Sequence, residues 1–355
     1  MKILHFTFEN FQDVPGLLSR GHKMFGDESE LVTMTPSRLG FPNGISLRYP
    51  LFDSSGMRRL RRMTGRDNVV VPEDQLALKI RGRSMRSRAF YHSRDLLWGY
   101  TLNRAWRRYG FEDYDIYHFD GDMPFIFGDR ILKKLAGRGK KFVTHFFGSE
   151  LRKWGMNPYL RRYAQIRFTS EVDHPKIDPK LIFVPIPFET DAITPRTSEN
   201  KVLIVGHSPT RRNVKGTHDI LRAVQQVQGM VNFEFRLIEG VRHERCMELK
   251  TGCDIGIDQV GNYGGTAYGR SGLEFLALGI PTITEIPDEY EPVLAGHPFV
   301  KATKHDLAEV LKRLLQNADL RRKKKTEGLK WVRDFVSPRR VMNKIYDEYR
   351  RVGWI

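Results

Sequence analysis

GNYGGTAYGRSGLEFLALGIPTI, residues 261–283, opens as a glycine-rich loop and continues as a short apolar helix that ends at Pro281. Glycines 261, 264, 265, 269 and 272 let the backbone fold tightly and turn several N–H groups toward one point. The helix behind them adds its unpaired first-turn N–H groups and the positive end of its dipole, which suits a phosphate. Upstream, CDIGIDQV (253–260) is a short apolar run that fits a buried parallel strand. Strand, glycine loop and helix in this order bind nucleotides at the carboxyl edge of an open α/β sheet. The loop is neither a Walker A sequence nor a G-x-G-x-x-G fingerprint. Ser271 and Glu274 also fit an S-x-x-E capping box, in which the glutamate would serve only its own helix.

A second segment has the same grammar. VLIVGHSPTRRNVKGTHDILRAVQQV (202–227) predicts a strand from Val202 to Val205, a loop holding Gly206, Arg211, Arg212 and Lys215, and a helix that Thr217 could cap. Three cations in a strand-to-helix loop meet the charge of a diphosphate. The competing expectation is a solvated basic loop.

The motifs from Val205 to Ile283 resemble the donor domain of GT-B glycosyltransferases, specifically family 4, the retaining enzymes that use sugar nucleotides. The motifs run in order: HSPT (207–210), KGT (215–217), LIEG (237–240), CDIGIDQ (253–259) and GLEFLALGIPTI (272–283). IYHFDGD (116–122) and VTHFFGSELR (143–152) are similar to the H-F-H and H-G-S-D-x-R stretches of that group. The resemblance implies two Rossmann-like, doubly wound α/β domains facing a central cleft. It divides the chain into an acceptor domain (1–188), a donor domain (189–336) and a terminal helix (337–355) that packs back toward the first domain. By position it assigns the diphosphate to Lys215 with Arg211 or Arg212, and to the backbone around Gly269, Arg270 and Ser271. Glu274 would take the ribose hydroxyls, and the segment after Gly240 would line the base pocket.

Two positions depart from the family pattern. Many members carry a second glutamate eight residues before the ribose-binding one, contacting the transferred sugar; here that position is Thr266. Phe147 stands where many relatives have a histidine, and His145, two residues earlier, is the candidate to replace it, depending on where strand alternation turns its side chain.

The remaining features fit this outline. A length of 355 residues suggests two domains, and two cysteines, 246 and 253, offer neither a disulfide framework nor a metal spacing. No signal peptide or run of 18 apolar residues is present, so a cytoplasmic chain, peripheral to a membrane at most, is expected. Pro15-Gly16 follows the first strand, KILHFTF, where ligands of such sheets bind. The Pro- and Thr-rich stretch 185–201 reads as the interdomain linker. RRKKK (321–325) reads as a solvated helix end.

The net charge of +17 is concentrated between Met57 and Arg108, where thirteen Arg and one Lys face four acidic residues. Arg58, Arg59, Arg61 and Arg62 in that region are candidates for an acceptor or surface role, on an anionic glycan, a lipid-linked acceptor or anionic head groups. Nucleic acid is a weaker expectation, because no nucleic-acid motif accompanies the charge. Trp98, Thr101, Leu102, Ala105 and Trp106 are spaced as the buried face of a helix. A nucleotide sugar is the expected donor, with no cofactor and no essential metal, since side-chain cations supply the charge. The alternatives are a GT-B-like module that binds a polyanion without turnover, and a nucleic-acid-binding protein using residues 57–108.

Overall fold

The computed structural model describes residues 1–49, 78–81, 85–191, 193–263, 267–294 and 296–355, with residues 86–88 as backbone only. The candidates Arg58, Arg59, Arg61, Arg62 and Thr266 therefore lie outside the described residues. The chain forms two compact units: Met1–Pro187 together with Val341–Ile355, and Phe188–Arg340.

The first unit is built on seven parallel strands: β1 (Lys2–Thr7), β2 (Glu28–Thr33), β3 (Ile45–Ser46), β4 (Ile116–Asp120), β5 (Lys141–Phe146), β6 (Ile166–Thr169) and β7 (Ile182–Phe183), in the order β3-β2-β1-β4-β5-β6-β7. Its central strands are buried almost from end to end because helices cover both faces. Leu4, Phe6, Tyr117, Phe119 and Phe142 share one core with Trp98, Leu102 and Ala105 of the helix Met85–Tyr109, so the helix face expected from the spacing is buried. Ile3, Ile116, Val143 and Phe168 face the other way, against Val14 and Leu18 of the helix Val14–Met24 and Val341, Ile345 and Tyr349 of the terminal helix Pro338–Arg351.

The second unit has five parallel strands, β8 (Ile204–His207), β9 (Glu234–Leu237), β10 (Ile255–Ile257), β11 (Thr282–Thr284) and β12 (Val300–Lys301), ordered β12-β11-β10-β8-β9. One face packs Val205, Ile255, Ile257 and Ile283 on the helices Thr217–Gln228 and Leu307–Gln316. The other receives the helix Arg270–Ala277 through Phe275. Strand β8 is shifted by two residues at both ends from the expected Val202–Val205 and runs to His207, so Gly206 is a strand residue and not part of the basic loop. Gly206 and Gly256 lie side by side in register, and a Cβ on Gly256 would fall 2.5 Å from the Phe275 ring. These two glycines are there to let the helix sit close on the sheet.

RRKKK is also placed differently from the expectation. It lies inside the helix Ala318–Phe335, and Arg321 is buried, bonded to Glu199 and to the Leu314 and Leu315 carbonyls. Its long side chain closes the exposed carbonyl end of the preceding helix, which a solvated cation would not do.

Candidate functional site

The carboxyl ends of β8 and β10 bring the basic segment and the glycine loop of the second unit together. After β8 the chain forms a single helical turn, Arg212–Lys215, and then passes through Gly216 in the left-handed region (φ +67°). A Cβ on Gly216 would lie 2.1 Å from the Val260 carbonyl oxygen, so the basic turn touches the backbone leading into the glycine loop. Thr217 is not a cap. It is the first residue of its helix, and its hydroxyl bonds His207 Nε2 at 2.9 Å, while His207 Nδ1 meets the Ile257 carbonyl at 2.8 Å. Burial pushes the His207 imidazole down to about 4, so it ties the two strands together as a neutral ring.

Lys215 Nζ donates to Asp258 Oδ1 at 3.0 Å and to Gln259 Oε1 at 2.6 Å. Asp258 is the residue after β10, and its other oxygen, Oδ2, accepts the Gly269 N–H at 2.5 Å. A Cβ on Gly269 would come within 2.3 Å of Lys215 Nζ. Lys215 and the end of the glycine loop, 54 positions apart in the sequence, thus converge on one carboxylate. The other cations of the segment go elsewhere. Arg212 pairs with Glu239 at an exposed position, and Arg211 is the exposed residue that precedes the turn. Gly240 has a positive φ of 67° and open space around its α-carbon.

The helix behind the loop starts at Arg270, earlier than the apolar pattern suggested, with Gly269 as its N-terminal boundary and no side-chain cap. The Ser271–Glu274 capping box is therefore not formed, because both residues are already inside the helix. Ser271 instead accepts from Lys250 at 2.9 Å. Glu274 is buried among basic side chains: Lys250 Nζ is 2.5 Å from Oε2, and His243 Nε2 (2.9 Å) and Arg270 Nε (3.1 Å) meet Oε1. Burial alone would raise this carboxyl, but Lys250, His243 and Arg270 overcome it and hold it well below the usual carboxylate range. Lys250 is completely buried and also sits 4.7 Å over the Phe275 ring. No local pattern marks Lys250, which looks like any helix-terminal lysine in MELKTG. Only the packing of the helix His243–Thr251 against Arg270–Ala277 makes it a partner of Glu274.

In the first unit, Gly16 lies within the first turn of the helix Val14–Met24, not on the strand edge, and its N–H donates to Asn10 Oδ1 at 3.0 Å. That amide is used to hold the loop Asn10–Asp13, in which Gln12 and Asp13 both take positive φ. His145 is fully buried on β5, with Nε2 3.1 Å from the Ser170 hydroxyl. It belongs to a cluster of imidazoles on one face of the sheet. His5 and His118 are paired across β1 and β4, and both Nδ1 atoms bond Asp120 at 2.8 Å. His5 Nε2 meets His22 Nδ1 at 3.0 Å, and His22 Nε2 meets the Tyr349 hydroxyl at 3.2 Å. Among the described residues, two groups bring three metal-ligating side chains together, His5–His118–Asp120 and Glu171–Asp173–His174. In the first the carboxylate is already bridged by two imidazoles, and in the second Arg152 fills the space between Glu171 and Asp173.

The second unit is thus an open parallel sheet of a doubly wound fold, whose carboxyl edge gathers a lysine and a glycine-loop amide, with a buried glutamate on the helix that follows. The whole chain has the GT-B fold. It is similar along 99% of its length to 98% of a glycosyltransferase from Rickettsia africae (14% identity, TM-score 0.58). It is similar along 98% to 99% of OtsA in its apo form (10% identity, TM-score 0.62), and along 98% to 96% of the N-terminal domain of Candida albicans trehalose-6-phosphate phosphatase (11% identity, TM-score 0.61). At these identities the likeness is one of fold. No family model matches the chain, and no curated protein matches it in sequence. Among the described residues no helix is long and apolar enough to cross a membrane.

Proposed function

We propose that the protein is a glycosyltransferase that moves a sugar from a nucleotide diphosphate to an acceptor held by the first unit, with retention at the anomeric carbon. The observation that carries this reading is the meeting of Lys215 with Gly269 beside the buried Glu274. A cation and a helix-edge amide at one point suit a diphosphate, and a carboxylate one helical turn further suits ribose hydroxyls. As the glycosidic bond breaks, negative charge grows on the leaving diphosphate and the sugar becomes oxocarbenium-like. Lys215 and the dipole of the helix Arg270–Ala277 then stabilise the transition state more than the bound donor. Side-chain charge makes an essential divalent metal unnecessary in this scheme. The acceptor class proposed is a glycan or a lipid-linked glycan, with the basic region between Met57 and Arg108 drawn to its anionic groups or to the membrane surface that bears it.

A thermal-shift panel of nucleotide sugars and nucleoside diphosphates tests the donor half of this proposal, since a ligand that binds only the folded state raises Tm by mass action. A selective shift with one base is expected. Absence of a shift with every member, next to a shift with nucleic acid at the same salt, would overturn it.

A further inference from the structure

We propose that Asp258 is the internal counter-anion of the donor site: it holds the Lys215 ammonium and the Gly269 amide in place while the site is empty, and yields both to the incoming diphosphate. This rests on the donor reading above and adds to it a positioning residue that works by exchange.

The Asp258 side chain is wholly buried and packs against Gly272. A Cβ on Gly272 would already lie 3.1 Å from Oδ2 and 3.3 Å from the Asp258 Cβ. Its backbone is fixed by the N–H bond to the Ile283 carbonyl at 2.9 Å. Each carboxylate oxygen is committed to one of the two donors assigned to the diphosphate, Lys215 through Oδ1 and Gly269 through Oδ2. The Lys215 side chain keeps 14% of its surface, so it is the end of the pair that a ligand can reach. Carboxylate and phosphate oxygens accept the same donors with similar lengths. A phosphate arriving at Lys215 therefore competes with Asp258 for the ammonium, while Gln259 Oε1 keeps the lysine from swinging away.

The fixed negative charge has a definite sign of effect. It orders the donors, and it also repels the diphosphate product, which carries more negative charge than the donor, so it trades affinity for release. In Asp258→Asn the amide oxygen can still accept the Gly269 N–H, but the charge is gone. Loss of one buried like charge close to the ligand tightens binding on the order of tenfold.

The experiment is isothermal titration of wild type and Asp258→Asn with the nucleoside diphosphate that shifts the wild-type Tm most, alongside steady-state kinetics. The expected result is a Kd about tenfold lower in the variant, with KM and kcat both falling as product release slows. A residue that is merely structural would weaken binding when altered. Equal or weaker binding by a variant with wild-type circular dichroism therefore overturns the proposal. Should Asp258→Asn fail to fold, the wild-type chain answers by NMR. The Gly269 amide signal is expected to move strongly on titration as its acceptor changes, and a stationary Gly269 signal while neighbouring signals report binding overturns the proposal. If no nucleoside diphosphate binds wild type at all, the donor reading itself fails and takes this proposal with it.

Discussion

Lys250 Nζ and Glu274 Oε2 are 2.5 Å apart, in a pair whose lysine is completely buried and whose glutamate side chain keeps 6% of its surface. Such a pair costs desolvation to form, and removing one partner leaves the other charge stranded. Lys250→Met is therefore expected to lower stability by about 3 kcal/mol, a fall in Tm of roughly 6–12 °C for a unit of this size. Calorimetry on the variant checks this; a change under about 2 °C would mean that His243 and Arg270 satisfy Glu274 by themselves. Glu274→Gln should both destabilise the protein and weaken nucleotide binding, because Lys250 and Arg270 lose their shared anion.

Two glycines make opposite predictions. Alanine at Gly216 meets the Val260 backbone at 2.1 Å in a left-handed conformation, so the basic turn must move. A loss of about 2 kcal/mol or more is expected, since the conformation alone costs about 1–2 kcal/mol. Alanine at Gly269 meets Lys215 Nζ at 2.3 Å and Asp258 Oδ1 at 3.4 Å, both side-chain atoms, so the ammonium shifts while staying within reach of Gln259 and the backbone keeps its place. Gly269→Ala should keep its Tm within a few degrees while nucleotide affinity falls. Parallel melting and titration curves for the two variants would separate these effects, and equal losses of stability would contradict the geometry.

Lys215→Ala should lower turnover by about a hundredfold, the usual effect of removing one donor aimed at developing charge. An unchanged kcat in a folded variant would remove Lys215 from the mechanism.

The first unit should be sensitive to mild acid. Burial lowers the pKa of His5, His22 and His145, with neighbouring imidazoles opposing protonation further. Their folded-state pKa values lie below the unfolded value of about 6.5. Below that pH the unfolded chain takes up protons that the folded one refuses, so stability falls as pH falls. Three such groups give at most about 4 kcal/mol per pH unit. Asp120, held below the usual carboxylate range by His118 and His5 despite burial, adds a loss in the same direction below about pH 4. Chemical denaturation at intervals from pH 7.5 to 5 measures this. A flat profile would show that the imidazoles accept protons in the folded state.

The sequence by itself determined the fold class and the two segments of the candidate site. Buried parallel strands are short apolar runs, glycine loops and basic turns follow them, and a helix face repeats every three to four residues, so all of these are local patterns. CDIGIDQV, KGT and the Trp98–Trp106 spacing could be read on that basis. What tertiary structure decided was which charge meets which. Whether Glu274 caps its own helix, and whether Lys215 or Arg212 turns toward the glycine loop, depends on side chains from segments 24 to 54 residues away. Lys250 and Asp258 gave no local sign of their roles, because pairing a buried charge is set by distance in space, and neighbouring residues in sequence carry no record of it. The place of Gly206 is hidden for the same reason: its lack of a side chain leaves room for Cys253 and for Phe275, which come against it only when the sheet and the helix Arg270–Ala277 assemble.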